Sequence, residues 1–259
     1  MTEEKKKVRK RFLPYTNDII AKCLFIGDDE NSSYIRNSNC EVALDNGKKI
    51  VYSRVLNVEL LPTASGNKMI KMDIRAQDEY GNLYNIEIQN HYKPVDFNRW
   101  EWYGAKNLTS QLKEGEYYDE IKPEYQLIIT NFKGEANRRN KRLINRYVMK
   151  NEDGEVEQEH ALINRTYINL SRIDEIVKEK DPEKITDYEN MCYLFKHNKS
   201  YDKIKPGKLV KAIMKKYEEL KRDDKVWTLA EKIQEAEARE QYLLKESKKE
   251  GELRGERKY

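Results

Sequence analysis

Cysteine is scarce in this 259-residue chain, and the three present, Cys23, Cys40 and Cys192, lie far apart with no CxxC pair. That spacing offers neither a disulfide framework nor a zinc-ligand pattern. Free thiols suit a reducing compartment, so a cytoplasmic protein is expected. No run of about 18 apolar residues occurs, and the charged start MTEEKKKVRKR has no apolar stretch behind it. Both features argue against a membrane span and against a secretory leader. A tandem repeat of solenoid length is missing, as is any RNA-reading signature of the RRM kind. Histidine is rare too: His160 and His197 lack partners at metal-ligand spacing, and His91 stands alone at a strand end, where a bland role is the commoner one.

Charge is what the chain has in quantity. Charged residues make up 37% of it, against ~25% in an average globular domain. Yet 50 basic and 46 acidic residues leave a net charge of only +4, too even a balance to mark a nucleic-acid binder unless the charges cluster. The first eleven residues do cluster, with Lys5, Lys6, Lys7, Arg9, Lys10 and Arg11. Residues 1–12 therefore read as a basic arm that either touches nucleic acid or is simply solvated.

Domains of ~100 to 200 residues are usual, so the length suits one main domain plus a smaller region. From Asp18 to Phe25 the residues Ile19, Ile20, Leu24 and Phe25 recur at helical spacing, predicting a first helix. Residues 31–49 are polar and weakly patterned and fit a poor helix or a loop equally. Three strands are expected over Val51 to Leu61, Met69 to Gln77 and Leu83 to Asn90. A helix over Phe97 to Leu112 follows, then a strand over Tyr125 to Phe132. The stretch 137–142 (NRRNKR) reads as a basic loop, and Tyr147 to Leu170 is strand-like. The expectation is thus an α/β (α+β) core over 13–170 in the order αβββαβ, with a mainly helical region over 171–259 that ends in a charged tail. Within that region Leu209, Ile213, Tyr217 and Leu220 form a stripe. Such a stripe is either an ordinary packing face or, as the alternative, a homodimer seam.

The hairpin between the second and third strands carries the chemistry. Alternation puts Ile70, Met72, Ile74 and Ala76 on one face and Lys71, Asp73 and Arg75 on the other. In the next strand Tyr84, Ile86 and Ile88 oppose Asn85, Glu87 and Gln89. A three-residue loop Glu79-Tyr80-Gly81, with glycine in the left-handed position, pairs Asp78 with Asn82 and so Asp73 with Glu87. A two-residue loop would set Asp73 against Ile88 and mix the polar and apolar faces. Two carboxylates directly across a strand pair repel unless a cation compensates them. Mg²⁺ suits carboxylate oxygens and keeps waters that can attack a phosphodiester. The bland alternative is a polar, solvated sheet face.

Several segments together, D73-I-R, I86-E-I-Q89, F97-N-R-W-E-W-Y103 and Q111-L-K-E-G-E-Y117, with DIIAKCLF at Asp18 to Phe25, resemble the recombination-promoting nuclease and transposase family of the PD-(D/E)XK superfamily. The likeness is strong over residues 13–135 and faint to about 170. Ala21 stands where that family has phenylalanine, and 31–44 lacks its leucine-rich helix. The resemblance implies a restriction-endonuclease-like core and a magnesium-dependent DNA endonuclease, with Mn²⁺ as a substitute ion, linked to recombination or mobile elements. A non-catalytic DNA binder or interaction module on the same fold is the alternative. By the same resemblance Asp73, Glu87 and Gln89 are catalytic, with Gln89 in the place of the usual lysine. Asp73, Glu87 and the backbone carbonyl of Ile88 would hold the metal. Arg99, Tyr103 and Lys106, at helical spacing, would either contact the DNA or form ordinary surface salt bridges; Lys22 is a further DNA contact and Asp18 a further candidate, both from the first helix.

Overall fold

Strict alternation sets the sheet. In a computed structural model that describes residues 12–56, 74–93, 95–113, 115, 117–132, 141–156, 161–198 and 205–256, six strands form one mixed sheet. They are β1 (Ser53–Val55), β2 (Ile74–Asp78), β3 (Leu83–Gln89), β4 (Glu124–Thr130), β5 (Ile144–Tyr147) and β6 (Ile163–Asn169), in the order β1-β2-β3-β4-β6-β5. Strands β1, β2 and β3 pair antiparallel, β3-β4 and β4-β6 pair parallel, and β5 returns antiparallel to β6. A parallel neighbour needs a crossover, and between β3 and β4 that crossover contains α3 (Asp96–Thr109).

The hairpin has the expected register. Ile74 faces Ile86, Arg75 faces Asn85, Ala76 faces Tyr84 and Gln77 faces Leu83. Gly81 takes φ +87°, its N–H donates to the Asp78 carbonyl at 3.1 Å, and the Asp78 N–H donates to Asn82 O at 3.2 Å. The Asp78 carboxylate ties the loop down by accepting from the N–H groups of Tyr80 and Asn82, each at 2.9 Å. Asp73, the rest of 69–73, the segment 57–61 of the first expected strand, residues 1–11 of the basic arm and 137–140 of the basic loop lie outside the described residues.

One face of the sheet is apolar. Ile74, Ala76, Tyr84, Ile86, Ile88, Leu127, Ile129 and Ile168 share a single buried cluster with residues of α1 (Asp18–Ile26) and α2 (Glu30–Leu44). Asn17 caps α1 by accepting from Ile19 N and Ile20 N. Asp29 caps α2 through Ser32 N at 3.1 Å. Helix α2 settles the open choice over 31–49 in favour of a helix as far as Leu44. Its pattern is weak because half of its buried residues are polar. Arg36, 2% exposed, donates to the carbonyls of Phe25 (2.6 Å), Gly27 (3.1 Å) and Ser53 (2.7 Å) and to Ser53 Oγ (2.8 Å). A buried guanidinium is tolerated only when its donors are met in this way.

Beyond β6 the chain is helical, with α4 (Ile173–Glu179), α5 (Asp187–His197), α6 (Lys208–Leu220) and α7 (Asp224–Glu256). The stripe of Leu209, Ile213, Tyr217 and Leu220 is buried, and α6 packs against α1, α2 and α5. The stripe therefore belongs to the chain's own core, and a dimer seam through it is not supported. Tyr217 Oη accepts from Leu13 N at 3.0 Å and donates to Leu13 O at 2.6 Å. Asn17 Nδ2 reaches Ala230 O at 3.1 Å, beside the buried Trp227 of α7. No helix among the described residues is long and apolar enough to cross a membrane.

Candidate active site

The other face of the sheet lies under α3 and is polar yet buried. Along β3 and β4 the register sets Leu83 beside Glu124, Asn85 beside Gln126 and Glu87 beside Ile128. Asn85, Glu87, Glu124 and Gln126 are all buried. Among the described residues, the apolar cluster on this side is Trp100, Ile128 and Tyr167. Trp100 is fixed edge-on between Phe97 (ring centroids 5.3 Å apart) and Tyr167 (5.7 Å). Its carbonyl accepts from Gln126 Nε2 at 2.6 Å.

Glu87 is the centre of this face and is 1% exposed. Three donors converge on its Oε2: the Trp100 indole Nε1–H at 2.6 Å, Gln89 Nε2 at 2.9 Å and Arg99 Nη2 at 3.2 Å. Arg99 also stands 3.4 Å from Asp96 Oδ1, and Asp96 Oδ2 accepts from Lys93 N at 2.9 Å. By contrast, Glu87 Oε1 is buried and has no hydrogen-bond partner among the described residues. An unmet buried acceptor costs ~1 to 3 kcal/mol, more on a charged group, and calls for an explanation.

That asymmetry fits a divalent cation. One carboxylate oxygen is saturated by protein donors, and the other keeps its lone pairs, the hard oxygen ligand that Mg²⁺ and Mn²⁺ favour. Among the described residues no three His, Cys, Asp or Glu side chains gather where a metal could sit, and Asp73 is not among those residues.

Glu87, Gln89 and Arg99 are brought together. Ile88 lies between the first two, with its side chain in the opposite, apolar core. Further along α3, Tyr103 is half-buried and Lys106 is exposed. Lys22 is not brought to the surface; it is 2% exposed within α1, on the apolar side of the sheet. Asp18 opens α1, and its carboxyl is pushed up to about 8, first by burial and then by a hydrogen bond to Glu237 of α7 and by that residue's charge, against the pull of Lys93. The same helix reaches the chain just after β3 through Lys93 Nζ to Glu240 Oε1 at 3.1 Å. His91 is exposed, and His197 pairs with Asp174 at 2.5 Å.

Sequence reading missed two parts of this face. Trp100 scans as one apolar position on a helical stripe, and nothing in the stripe reveals that its indole N–H meets Glu87. Glu124 and Gln126 were legible, since EYQLIIT spaces them two apart on one side of β4. Burial holds the Glu124 carboxyl up at about 7, partly offset by the Asn107 amide, 3.0 Å from its Oε1, and by the charge of Arg165. Its Oε2, like Asn85 Oδ1, is buried without a partner among the described residues.

In comparisons with known proteins, a family model described as a PD-(D/E)XK nuclease family transposase matches residues 15–250. No curated protein and no solved structure matches.

Proposed function

The chain belongs to the PD-(D/E)XK nuclease family of transposases, and from that premise we propose that it is a Mg²⁺-dependent DNA endonuclease with Asp73 and Glu87 as its metal-binding carboxylates. The observation that carries this reading is the divided state of Glu87, whose Oε2 takes three donors while Oε1 is buried with none. Most buried carboxylate oxygens are met, and the unmet Oε1 beside a saturated Oε2 leaves lone pairs free for a cation.

Asp73 enters as the sequence's expectation: strand alternation calls for it to oppose Glu87, and the pairing of Ile74 with Ile86 supports that reading. With the Ile88 carbonyl these two carboxylates form an all-oxygen set suited to Mg²⁺, with Mn²⁺ as a substitute. When bound, the ion supplies charge for the scissile phosphate and lowers the pKa of a coordinated water. The side chains do the rest. Trp100 and Gln89 hold Glu87 in one rotamer through its Oε2. Gln89 spends its amide N–H on Glu87, which leaves its carbonyl oxygen to accept from the attacking water. Arg99 exchanges its carboxylate partners for a substrate phosphate, which its forked guanidinium matches, and Tyr103 and Lys106 extend that contact along α3. Lys22, buried in α1, is given no substrate contact. Recombination or the movement of mobile elements would follow from where such cuts are made.

The test is nicking and linearisation of supercoiled plasmid in Mg²⁺, with EDTA as the blank, for wild type, Asp73→Ala and Glu87→Gln. Each variant should lose about a thousandfold in rate, equivalent to ~4 kcal/mol of transition-state stabilisation. Equal cutting by all three proteins would sink the site assignment. Equal DNA binding with no cutting by any of them would favour a binder that retains the fold.

A further inference from the structure

On the far side of the sheet from Glu87, α2 and α6 flank an open groove of about 360 Å³ lined by Lys208, Lys211, Ala212 and Lys215 of α6 and by Glu30, Asn31 and Tyr34 of α2. The three lysines sit at i, i+3 and i+7, so they share one helix face. None of them pairs with a carboxylate among the described residues. Their neighbour Lys216 pairs with Asp29 at 2.5 Å and with Glu219 at 3.6 Å. Lys208 Nζ lies 4.3 Å from the centre of the Tyr34 ring, which holds that ammonium at the wall of the groove.

We propose that this groove is a second, non-catalytic binding site for the phosphate backbone of a DNA duplex. The proposal rests on the reading of the protein as a DNA endonuclease and adds a second surface to it. Charge and spacing select the occupant. Three ammoniums against the single carboxylate of Glu30 leave the groove positive. Lys208 to Lys215 spans roughly 10 Å of helix at ~1.5 Å per residue, the axial length of about three phosphates of one strand at ~3.4 Å each. The groove has room for phosphate groups and their water but not for a duplex, so a backbone edge would lie across it. Lysines suit that role as point charges. The apolar part of the lining comes from Tyr34, Ala212 and the lysine stems, a floor over which the charged lysine heads would meet phosphates. A duplex held here lies on the other side of the sheet from Glu87, so one chain could hold one DNA segment while cutting another.

The experiment is binding of a fluorescent 30-base-pair duplex, with EDTA present so that nothing is cut, across a KCl series. Wild type is compared with Lys208→Gln/Lys211→Gln/Lys215→Gln, with the single variant Lys211→Glu and with Glu30→Gln. Each phosphate contact contributes about −0.9 to the slope of log affinity against log salt. The triple variant should therefore bind tenfold or more weaker at low salt, with a slope shallower by about 2 to 3. Lys211→Glu should weaken binding in the same direction, which guards against a triple variant that fails to fold, and Glu30→Gln should tighten it. Unchanged affinity and slope in folded variants would overturn the groove while plasmid cutting by wild type leaves the nuclease reading intact. If wild type neither binds nor cuts DNA, the nuclease reading itself fails and takes this site with it. Loss of poly-glutamate binding by the triple variant, with DNA binding unchanged, would overturn the proposal in favour of an acidic protein ligand.

Discussion

The two faces of one sheet divide the work of this protein. Under α1 and α2, Ile74, Ala76, Tyr84, Ile86, Leu127 and Ile129 merge into one apolar cluster that also takes in residues of α5, α6 and α7. Under α3, the residues between them on the same strands, Asn85, Glu87, Glu124 and Gln126, are just as buried. Three of those four nevertheless keep a polar atom unpartnered among the described residues. Burial on the first face is favourable at ~25 cal/mol per Å² of apolar surface, whereas on the second it is costly wherever an acceptor goes unmet. Alternation thus lets neighbouring residues of a single strand build an apolar core on one side and a buried polar face on the other.

Ile86 and Glu87, adjacent on β3, give the sharpest contrast. Ile86→Ala opens a cavity in the apolar cluster and should cost about 3 to 4 kcal/mol, read as a lower urea midpoint. Glu87→Gln, which keeps the shape and removes a buried charge, should shift stability by less than about 1 kcal/mol in either direction. Comparable losses from the two would mean that Glu87 is structural and that the division between faces does not exist.

A smaller effect is expected at Gly104 of α3. Alanine in a helix usually gains up to ~1 kcal/mol over glycine. Here a Cβ would lie 2.9 Å from Gln126 Nε2 and 3.3 Å from Glu124 Oε2, so Gly104→Ala should destabilise by ~1 to 3 kcal/mol. A gain in thermal stability would show that the polar face is loosely packed.

The last effect is one of pH. The Glu124 carboxyl is raised to about 7 in the folded protein, against ~4.3 in an unfolded chain. Folding is therefore favoured while both states are protonated, and that stability is lost as pH rises from about 4 through about 7. Glu124→Gln carries no such loss, so its stability relative to wild type should climb over that interval and level off above it. Thermal melts of both proteins at pH 5 and pH 8 measure this. An equal difference at the two pH values would mean that Glu124 is ionised throughout.

What could be read in advance follows the same division. The hairpin register was legible because a glycine turn and two alternating strands admit only one pairing that keeps the faces apart. The α3 stripe and the α6 stripe were legible as periodicities, but which surface each one covers is a tertiary matter. Thus the α6 stripe proved to be a packing face, and Trp100 proved to be a donor to Glu87. Helix α2 was ambiguous because Ser32, Arg36, Asn37 and Asn39 share its buried side with Ile35, Cys40, Ala43 and Leu44, and the burial of the polar four depends on partners that no local pattern shows. Lys22 looked like a site cation for the mirror-image reason, since nothing local signals that a lysine is buried. The partner expected for Glu87, Asp73, lies outside the described residues, so that half of the site rests on the sequence pattern.

The link between Leu13 and Tyr217, 204 residues apart in the chain, bears on how the protein is made. Synthesis runs at ~5 to 20 residues per second, so the segment leading into α1 waits roughly 10 to 40 s on the ribosome for the tyrosine that receives it. Until then the apolar side of α1 lacks the α6 and α7 surfaces that will cover it, and α2 is the neighbouring helix available to shield it.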